Sequence, residues 1–332
     1  MDSATNASSP SNFIAFIIQD SHFSDEPQNH YVVWSNDTQI DLGIRISSSI
    51  QDAAPINDAG QVAGVIGDEG YRPFLWQAGV VTRLPSLPGT TVTRIYGINA
   101  GGTVVGYNRI PWGGGLAYES VLWQGGTVTD LHLPYGHIVT AINDSDALAI
   151  MTIYSGQRSY VLSGGSTNVV EWPGLPVGGG TGALDLNNAG QVCGWFTFEG
   201  GVSLHAFLWP GGAGAPLPEF PYGGSKAVAL NNLGHAVGYA YRAASDNPAV
   251  LWRDGIMTCL NDLPEVQSAG WWSLVARDIN DHGQIVGFGY DDGLVRAFLL
   301  SPVTAPPPFS LTITRSGTNV MVSFPTETRF GY

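Results

Sequence analysis

Carboxylates recur at one place in a repeated phrase of this chain, where several of them could serve a calcium site. Asp58, Asp144 and Asp281 each follow an asparagine in a short polar turn. Calcium sites of the Asp-x-Asp-x-Asp-Gly type need several closely spaced oxygen donors, and one carboxylate per turn falls short of that set. Because Asn and Asp side chains also favour tight turns, we interpret these residues as structural and expect no bound metal.

Histidines and nucleophiles are the other residues able to do chemistry. His132 and His137 flank a Pro-Tyr-Gly segment, but no cysteine or carboxylate joins them in a recognised zinc-binding pattern. The chain has no Gly-x-Ser-x-Gly elbow, no P-loop and no His-Glu-x-x-His, the motifs of common hydrolases and nucleotide-binding proteins. We therefore predict no catalytic residue and no cofactor.

Aromatic residues outside the repeated positions form the candidate ligand-binding set. Trp271 and Trp272 follow a glycine, and Trp112 and Tyr118 flank a run of three glycines. Aromatic rings on loops at one end of a rigid scaffold can stack on the faces of sugars. The alternative is that Trp271 and Trp272 begin a strand and fill the space between neighbouring repeats, since large aromatic side chains are usually well buried.

These residues lie in a long internal repeat. Its leading phrase starts at six hydrophobic residues separated by 42, 44, 44, 44 and 49 positions, namely Ile56, Ile98, Ile142, Leu186, Leu230 and Ile279. The turn residues that define the phrase are Asn57, Asp58, Gly60, Asn143, Asp144, Asn187, Gly190, Asn231, Gly234, Asn280, Asp281 and Gly283. A period of ~40–50 residues built from short strands is typical of radial β-arrays. The predicted fold class is therefore an all-β propeller of four-stranded blades, with seven blades preferred and six allowed.

Each repeat contains four short β-branched and aromatic runs bounded by Gly or Pro, which is how strands are punctuated. A glycine recurs in the second run, as at Gly64, Gly106 and Gly194, and only Ile150 breaks the series. Glycine inside a strand indicates that another backbone approaches closely. Since such a blade is apolar on both faces, neighbouring blades must stack, and we expect the first strand to lie innermost and the fourth outermost.

The ends of the chain suggest three segments. Residues 1–11 are predicted to be disordered or extended, 12–302 to form the propeller, and 303–332 to be a Pro-rich linker with a β-hairpin tail. A seventh, degenerate unit at residues 12–43 lacks its first strand, and the last repeat lacks its fourth. We expect the tail strands to stitch these ends together, because open sheet edges invite other chains. In a variant of this hypothesis, the tail completes a neighbouring copy and produces polymers.

The amino-acid composition argues against two classes of binding partner. Lys+Arg number 13 against 27 Asp+Glu, a net charge of −14, which opposes binding to nucleic acid and to anionic membrane surfaces. No run approaches the ~18 apolar residues of a membrane span. The start of the chain lacks the regions of a signal peptide, so either the protein is cytosolic or its leader is missing. Low lysine content and abundant Gly, Ser, Thr and Asn favour an extracellular or cell-surface protein.

Cys193 and Cys259 lie in different repeats, and we expect no disulfide between them.

The phrase Ile-Asn-Asp-x-Gly-Gln, together with His205-Ala206-Phe207-Leu208-Trp209, resembles the bacterial HAF repeat family, named for its His-Ala-Phe triplet. The resemblance covers 12–302. One copy keeps the full triplet, whereas Arg296-Ala297-Phe298 and Arg72-Pro73-Phe74 carry Arg in place of His. The family implies an extracellular repeat protein and supplies no catalytic residues to transfer. Residues 309–332 look like the opening of a small β-sandwich module.

Three functions remain open from the sequence. The favoured one is a non-enzymatic secreted scaffold or interaction module, with self-assembly through the tail as a variant. The alternative is a carbohydrate-binding propeller that uses the loop aromatics. The second alternative is a propeller enzyme acting on polysaccharide, which would need paired carboxylates or a Tyr/His/Arg cluster near the ring axis.

Overall fold

The structure, a computed structural model, describes residues 13–20, 28–35, 38–46, 54–67, 71–113, 115–153, 158–171, 174–175, 177–198, 203–212, 214–243, 246–291, 293–303, 312–316 and 319–325. The predicted N-terminal segment 1–11 and most of the Pro-rich linker lie outside these residues. Regular structure in the described part is almost entirely β. It includes one short helix, α1 (Pro264–Ser268), preceded by a 3-10 turn at Leu260–Asp262.

The described strands form seven sheets. The N-terminal sheet contains β1 (Phe13–Asp20), β2 (Gln28–Ser35) and β3 (Thr38–Ile46). Blade 1 contains β4 (Val62–Ile66), β5 (Arg72–Gln77) and β6 (Val80–Arg83). Blade 2 contains β7 (Val92–Ile98), β8 (Val104–Trp112), β9 (Gly115–Gln124) and β10 (Thr127–Asp130). Blade 3 contains β11 (His137–Ile142), β12 (Leu148–Thr152), β13 (Tyr160–Ser163) and β14 (Ser166–Val169).

The remaining sheets follow the same plan. Blade 4 contains β15 (Thr181–Leu186), β16 (Val192–Phe196), β17 (His205–Trp209) and β18 (Ala215–Pro216). Blade 5 contains β19 (Ser225–Leu230), β20 (Ala236–Ala240), β21 (Ala249–Arg253) and β22 (Ile256–Cys259). Blade 6 contains β23 (Trp272–Ile279), β24 (Ile285–Asp291), β25 (Leu294–Val303), β26 (Thr312–Ser316) and β27 (Asn319–Pro325).

The all-β propeller predicted from the repeat is confirmed. Six blades carry the repeated asparagine turn, which is the smaller blade count that the sequence allowed. In blade 1 the first strand is reduced to a single bridge between Ile56 and Val62. The N-terminal sheet, which lacks the turn, packs beside these blades, because β1 contacts β24 and β25 of blade 6 while β3 contacts β4 of blade 1.

The first strand of each blade is the inner one. The first strands β7, β11, β15, β19 and β23 contact one another in sequence around the ring. All residues of β15 and β19 are buried, whereas those of the fourth strands β6 and β14 are exposed. Because successive strands alternate in direction, the connections from strand two to three and from strand four to the next blade share one end of the ring. We call this end the loop face, and the asparagine turns lie at the other end.

Apolar side chains fill the layers between blades. For example, Ala149 and Val161 of blade 3 cluster with Phe207 of blade 4, and all three are buried. Fully burying a residue such as Phe contributes about 1.5–3 kcal/mol. Blade stacking therefore supplies much of the stability that a single blade lacks.

The recurring strand glycine lies against the backbone of the first strand in blades 2, 4, 5 and 6, as predicted, whereas a Cβ at Gly64 in blade 1 would meet the side chain of Tyr31. A Cβ at Gly106 would collide with the backbone carbonyl of Arg94, because the first strand has a register shift between Ile95 and Gly97. Gly238 faces the carbonyl of Lys226 in the same way. The first strand thus bulges toward the second, and glycine leaves room for it in these blades. Blade 3 has the same register shift, between Val139 and Ala141, with Ile150 at the glycine position.

The tail does not join the first and last units, so the prediction that it stitches them is wrong for the described residues. Strand β27 pairs in parallel with β25, its own third strand in blade 6, and β26 pairs antiparallel with β27. The tail therefore takes the place of the missing fourth strand of blade 6. The physical reason for this pairing is proximity along the chain. Strand β25 directly precedes the tail strands in sequence, and its outer edge would otherwise be unpaired.

Cys193 and Cys259 are both free, as expected.

Candidate functional site

The asparagine of each turn bonds within its own turn and to the next blade. In blade 4, Asn187 Oδ1 accepts from the backbone N–H groups of Ala189 and Gln191 at 3.1 and 2.9 Å. Its Nδ2 donates to the backbone carbonyl of Asn231 in blade 5 at 2.9 Å. The same inter-blade bond joins Asn57 to Asn99 (2.9 Å), Asn99 to Asn143 (3.3 Å), Asn143 to Asn187 (3.1 Å) and Asn231 to Asn280 (3.0 Å). We call this series the asparagine belt.

The next residue in the turn forms a second, parallel series. Asp144 Oδ1 accepts from the backbone N–H of Ala100 in the preceding blade at 2.7 Å. Asn232 donates its backbone N–H to Asp281 Oδ1 at 2.8 Å. These carboxylates therefore tie blades together. Among the described residues, no group of three His, Cys, Asp or Glu side chains is placed to hold a metal ion.

The repeated tryptophan of the third strand is also an inter-blade tie. Trp123 Nε1 donates to the carbonyl of Pro85 at 2.6 Å, and Trp252 Nε1 donates to that of Pro218 at 2.6 Å. In each case the acceptor lies in the connection that follows the preceding blade's fourth strand. A buried indole N–H normally finds such a partner. The N–H groups of these two tryptophans therefore bond within the protein and are not available to a ligand.

The candidate loop aromatics fall into two places on the loop face. Trp112 ends β8 opposite Gly115, and Tyr118 lies in β9 with its ring edge-on to Tyr107 at 5.2 Å between centroids. Trp271 and Trp272 lie in blade 6, between α1 and the start of β23. Blade 1 and the N-terminal sheet separate blade 2 from blade 6, so the two pairs of aromatics belong to different regions.

Trp271 and Trp272 have opposite environments although they are adjacent. Trp271 is 5% exposed and meets Phe298 edge-on in the core. Its Nε1 is buried and has no hydrogen-bond partner within the described part of the chain. Trp272 is 55% exposed, and its ring stacks on that of Tyr290 with 4.4 Å between centroids and 17° between planes. Trp272 thus presents a supported aromatic surface to solvent.

A cleft of about 440 Å³ opens beside these tryptophans on the loop face, between blades 5 and 6. We call it the Trp272 cleft. Trp271, Trp272 and Ser273 line it from blade 6, and Arg242, Asp246 and Asp262 line it from blade 5 and the connection that follows. Ser273 has φ of 52°, a left-handed conformation that is uncommon for a residue with a side chain. Such strain is found preferentially at functional sites.

The charged groups of the cleft neutralise one another in part. Arg242 Nε lies 2.6 Å from Asp246 Oδ2, and Arg242 Nη1 lies 2.7 Å from Asp262 Oδ1. The hydrogen bond from Arg242 lowers the pKa of Asp262, so that carboxyl is ionised at neutral pH. Two carboxylates against one guanidinium leave this cluster with one net negative charge. Burial and the neighbouring Asp262 raise the pKa of Cys259 to about 11, so its thiol is not a ready nucleophile.

Two clusters among the described residues contain residue types that often act in catalysis, but their contacts are those of structural residues. His205 Nδ1 lies 3.1 Å from Glu219 Oε1, and the buried Ser225 Oγ donates to Glu219 Oε2 at 3.0 Å. Because Glu219 stands between them, the serine has no contact with the imidazole, unlike the serine of a Ser-His-Asp triad. Burial raises the pKa of Tyr107, whose ring lies between Tyr96 and Tyr118. This tyrosine is therefore a phenol at neutral pH and is not poised as a base.

A buried carboxyl that the sequence reasoning missed joins blades 4 and 5. Asp185 Oδ1 accepts from the backbone N–H of Leu186 at 2.8 Å, and Oδ2 accepts from that of Leu230 at 2.7 Å. Burial, and then the charge of Asp278, raise the pKa of Asp185 well above its ordinary value. Asp stands just before the leading hydrophobic residue in two repeats, at Asp185 and Asp278, where three others have Gly97, Ala141 and Ala229. These two carboxylates are the sequence signal that would have pointed to the site.

Known proteins resemble this chain in fold. No family profile matches it, and no curated protein matches it in sequence. The β-propeller domain of the Trilobed protease from Pyrococcus furiosus has a TM-score of 0.63 and 10% identity, covering 90% of this chain and 94% of that one. TolB from Acinetobacter baumannii has a TM-score of 0.49 and 13% identity, covering 74% and 61%. A polysaccharide lyase has a TM-score of 0.46 and 8% identity, covering 88% of each chain.

The likeness to the Pyrococcus furiosus domain supports the propeller fold and says nothing about activity, since one fold hosts many functions. Within the described residues, no helix is both long enough and apolar enough to cross a membrane.

Proposed function

We propose that this protein is a non-enzymatic interaction module that presents its loop face to a ligand. The observation that carries the proposal is the asparagine belt. The Asn side chains repeated in the turns of blades 1 to 5 hold the ring together, as in the bond from Asn187 Nδ2 to Asn231 O. A rigid ring of this kind supports a binding surface on its loops without needing catalytic groups.

We further propose that the module works outside the cell or on its surface. The resemblance to HAF repeats and the low lysine content support this location. Self-assembly through the tail is less favoured, because β27 already pairs with β25 of the same chain. Location is tested by fractionating cells that express the full native gene, with a cytosolic enzyme as the marker of leakage. Recovery of the protein only with the cytosolic marker would contradict an extracellular role.

The absence of catalysis is tested by incubating high concentrations of the protein with a panel of soluble polysaccharides. New reducing ends and unsaturated products are measured over long times. We expect no product above a boiled-protein control. Product formation that scales with protein concentration would overturn the proposal and favour the enzyme alternative.

A second candidate function, carbohydrate binding, is favoured by one observation. Trp272 is more than half exposed although it is a large aromatic residue, and Tyr290 holds its ring in place. Exposed and oriented aromatic rings of this kind are typical of binding surfaces.

A further inference from the structure

We propose that the Trp272 cleft binds a neutral pyranose unit of a glycan, with the free face of Trp272 as a stacking platform and the cleft's carboxylates as acceptors for sugar hydroxyls. This inference rests on the proposed interaction function and gives it a site and a ligand class. It concerns binding alone and includes no covalent step.

The platform has the shape for a flat ligand. Trp272 and Tyr290 stand at paired positions of β23 and β24, and their rings are nearly parallel. Tyr290 covers one face of the indole, so a single flat face remains for a ligand. An aromatic cage for a quaternary ammonium group would need several rings around one point. One supported face suits the apolar C–H face of a pyranose instead.

The polar wall of the cleft selects against anions. Arg242 is engaged by Asp246 and Asp262 at 2.6 and 2.7 Å, so its charge is already paired. The net negative charge of this cluster, within a chain of net charge −14, repels a uronate or a sulfated sugar. Carboxylate oxygens are strong acceptors for neutral hydroxyl donors. The amide side chains of Asn247 and Gln267, which also line the cleft, can bond both hydroxyl hydrogens and oxygens.

Trp271, the neighbour of the platform residue, forms part of the cleft wall and differs from the repeated tryptophans in its polar group. Trp271 lines the cleft and is 95% buried, since only 5% of its surface is exposed. Its Nε1–H has no hydrogen-bond partner among the described residues, whereas the repeated Trp123 and Trp252 each reach a carbonyl. Leaving a buried donor unpaired is costly. The N–H itself is buried, so the contribution of Trp271 to the cleft is the surface of its ring.

The cleft has a suitable size. Its volume of about 440 Å³ lies within the range of roughly 300–1,000 Å³ that is usual for small-ligand sites. It opens on the loop face, so a longer glycan can extend beyond the bound unit across the ring.

The test uses the full chain and three sets of probes. Neutral gluco-, xylo- and manno-oligosaccharides are compared with oligogalacturonate and with tetramethylammonium, by calorimetry and by ligand-observed NMR. Trp272→Ala removes the platform, Trp272→Phe keeps a smaller one, and Phe198→Ala is the matched control, because Phe198 is a 52% exposed aromatic in blade 4. Thermal melts establish that each variant is folded.

We expect at least one neutral probe to bind, with affinity reduced by about tenfold or more in Trp272→Ala. Binding should be partly kept in Trp272→Phe and unchanged in Phe198→Ala. The inference is overturned if no neutral probe binds, if Trp272→Ala binds as well as the natural chain, or if the uronate or the ammonium probe binds more tightly. Each of these results leaves the non-enzymatic proposal standing, which fails only if products are formed.

Discussion

Asn187 in blade 4 reaches Asn231 in blade 5 through one hydrogen bond of 2.9 Å from its Nδ2 to the backbone carbonyl. The other end of the same side chain accepts two backbone N–H groups of its own turn. One amide therefore shapes a turn and joins two blades. Asparagine carries its acceptor and its donor on separate atoms at the end of a short side chain, so it can bond in both directions at once, which explains why the turn repeats Asn while its neighbours vary.

Asn187→Ala should destabilise the protein by roughly 2–3 kcal/mol, because buried backbone donors and a carbonyl lose their partners. Chemical denaturation followed by tryptophan fluorescence measures this loss. The control is Leu233→Ala in the next turn, where the side chain is 62% exposed and the expected change is small. If the two variants unfold at the same denaturant concentration, the belt has no energetic role.

Gly238→Ala should destabilise the protein by about 1–3 kcal/mol or more, since the new methyl group collides with the carbonyl of Lys226. Gly212→Ala is the matched control, because no atom lies within 4 Å of its added Cβ. Thermal unfolding monitored by circular dichroism compares them. Equal melting temperatures would contradict the close approach of the two inner strands.

Asp185 should make stability fall as pH rises. Burial raises its pKa in the folded protein above the unfolded value of 3.8, so the folded state binds the extra proton. Its contribution is fully present below pH 3.8 and is lost as pH rises through the raised pKa. The free energy of unfolding is measured for the natural chain and for Asp185→Asn from about pH 4 to pH 8. The stability of the natural chain relative to the variant should be greatest at the acidic end of this range. A pH-independent difference would argue against the shifted carboxyl.

Removing 304–332 should expose the edge of β25, which β27 covers in parallel. An exposed strand edge promotes association with other chains. We expect light scattering to show a monomeric full chain and a truncated chain that self-associates. Self-association of the full chain that disappears on truncation would instead support exchange of tails between copies.

Much of the fold could be predicted from the sequence because each blade is formed by residues that are close together along the chain. The spacing of Ile56, Ile98 and their counterparts sets the period, and short strands joined by tight turns follow from residue types. Gly106 and Gly238 indicated a close backbone approach, and the structure identifies that backbone as the bulged first strand of the same blade.

Less of the candidate site could be predicted from the sequence. Trp271 and Trp272 are neighbours with the same side chain, yet one is 5% and the other 55% exposed, because successive residues of an extended chain point to opposite sides. From sequence, the pair could lie on a loop or begin a strand that fills the space between repeats, and no local pattern assigned one residue to the core and the other to the surface.

The sequence by itself determined a ring of repeated β-blades, since apolar blades of one period satisfy each other only by stacking. Tertiary structure alone decided which atoms meet between blades. The partner of Asn187 lies 44 positions away in Asn231, and Arg242 meets Asp262 across the connection that leads to blade 6. The first pairing depends on the angle and register between blades, and the second on how a loop and a connection of blade 5 come together, neither of which a local pattern encodes.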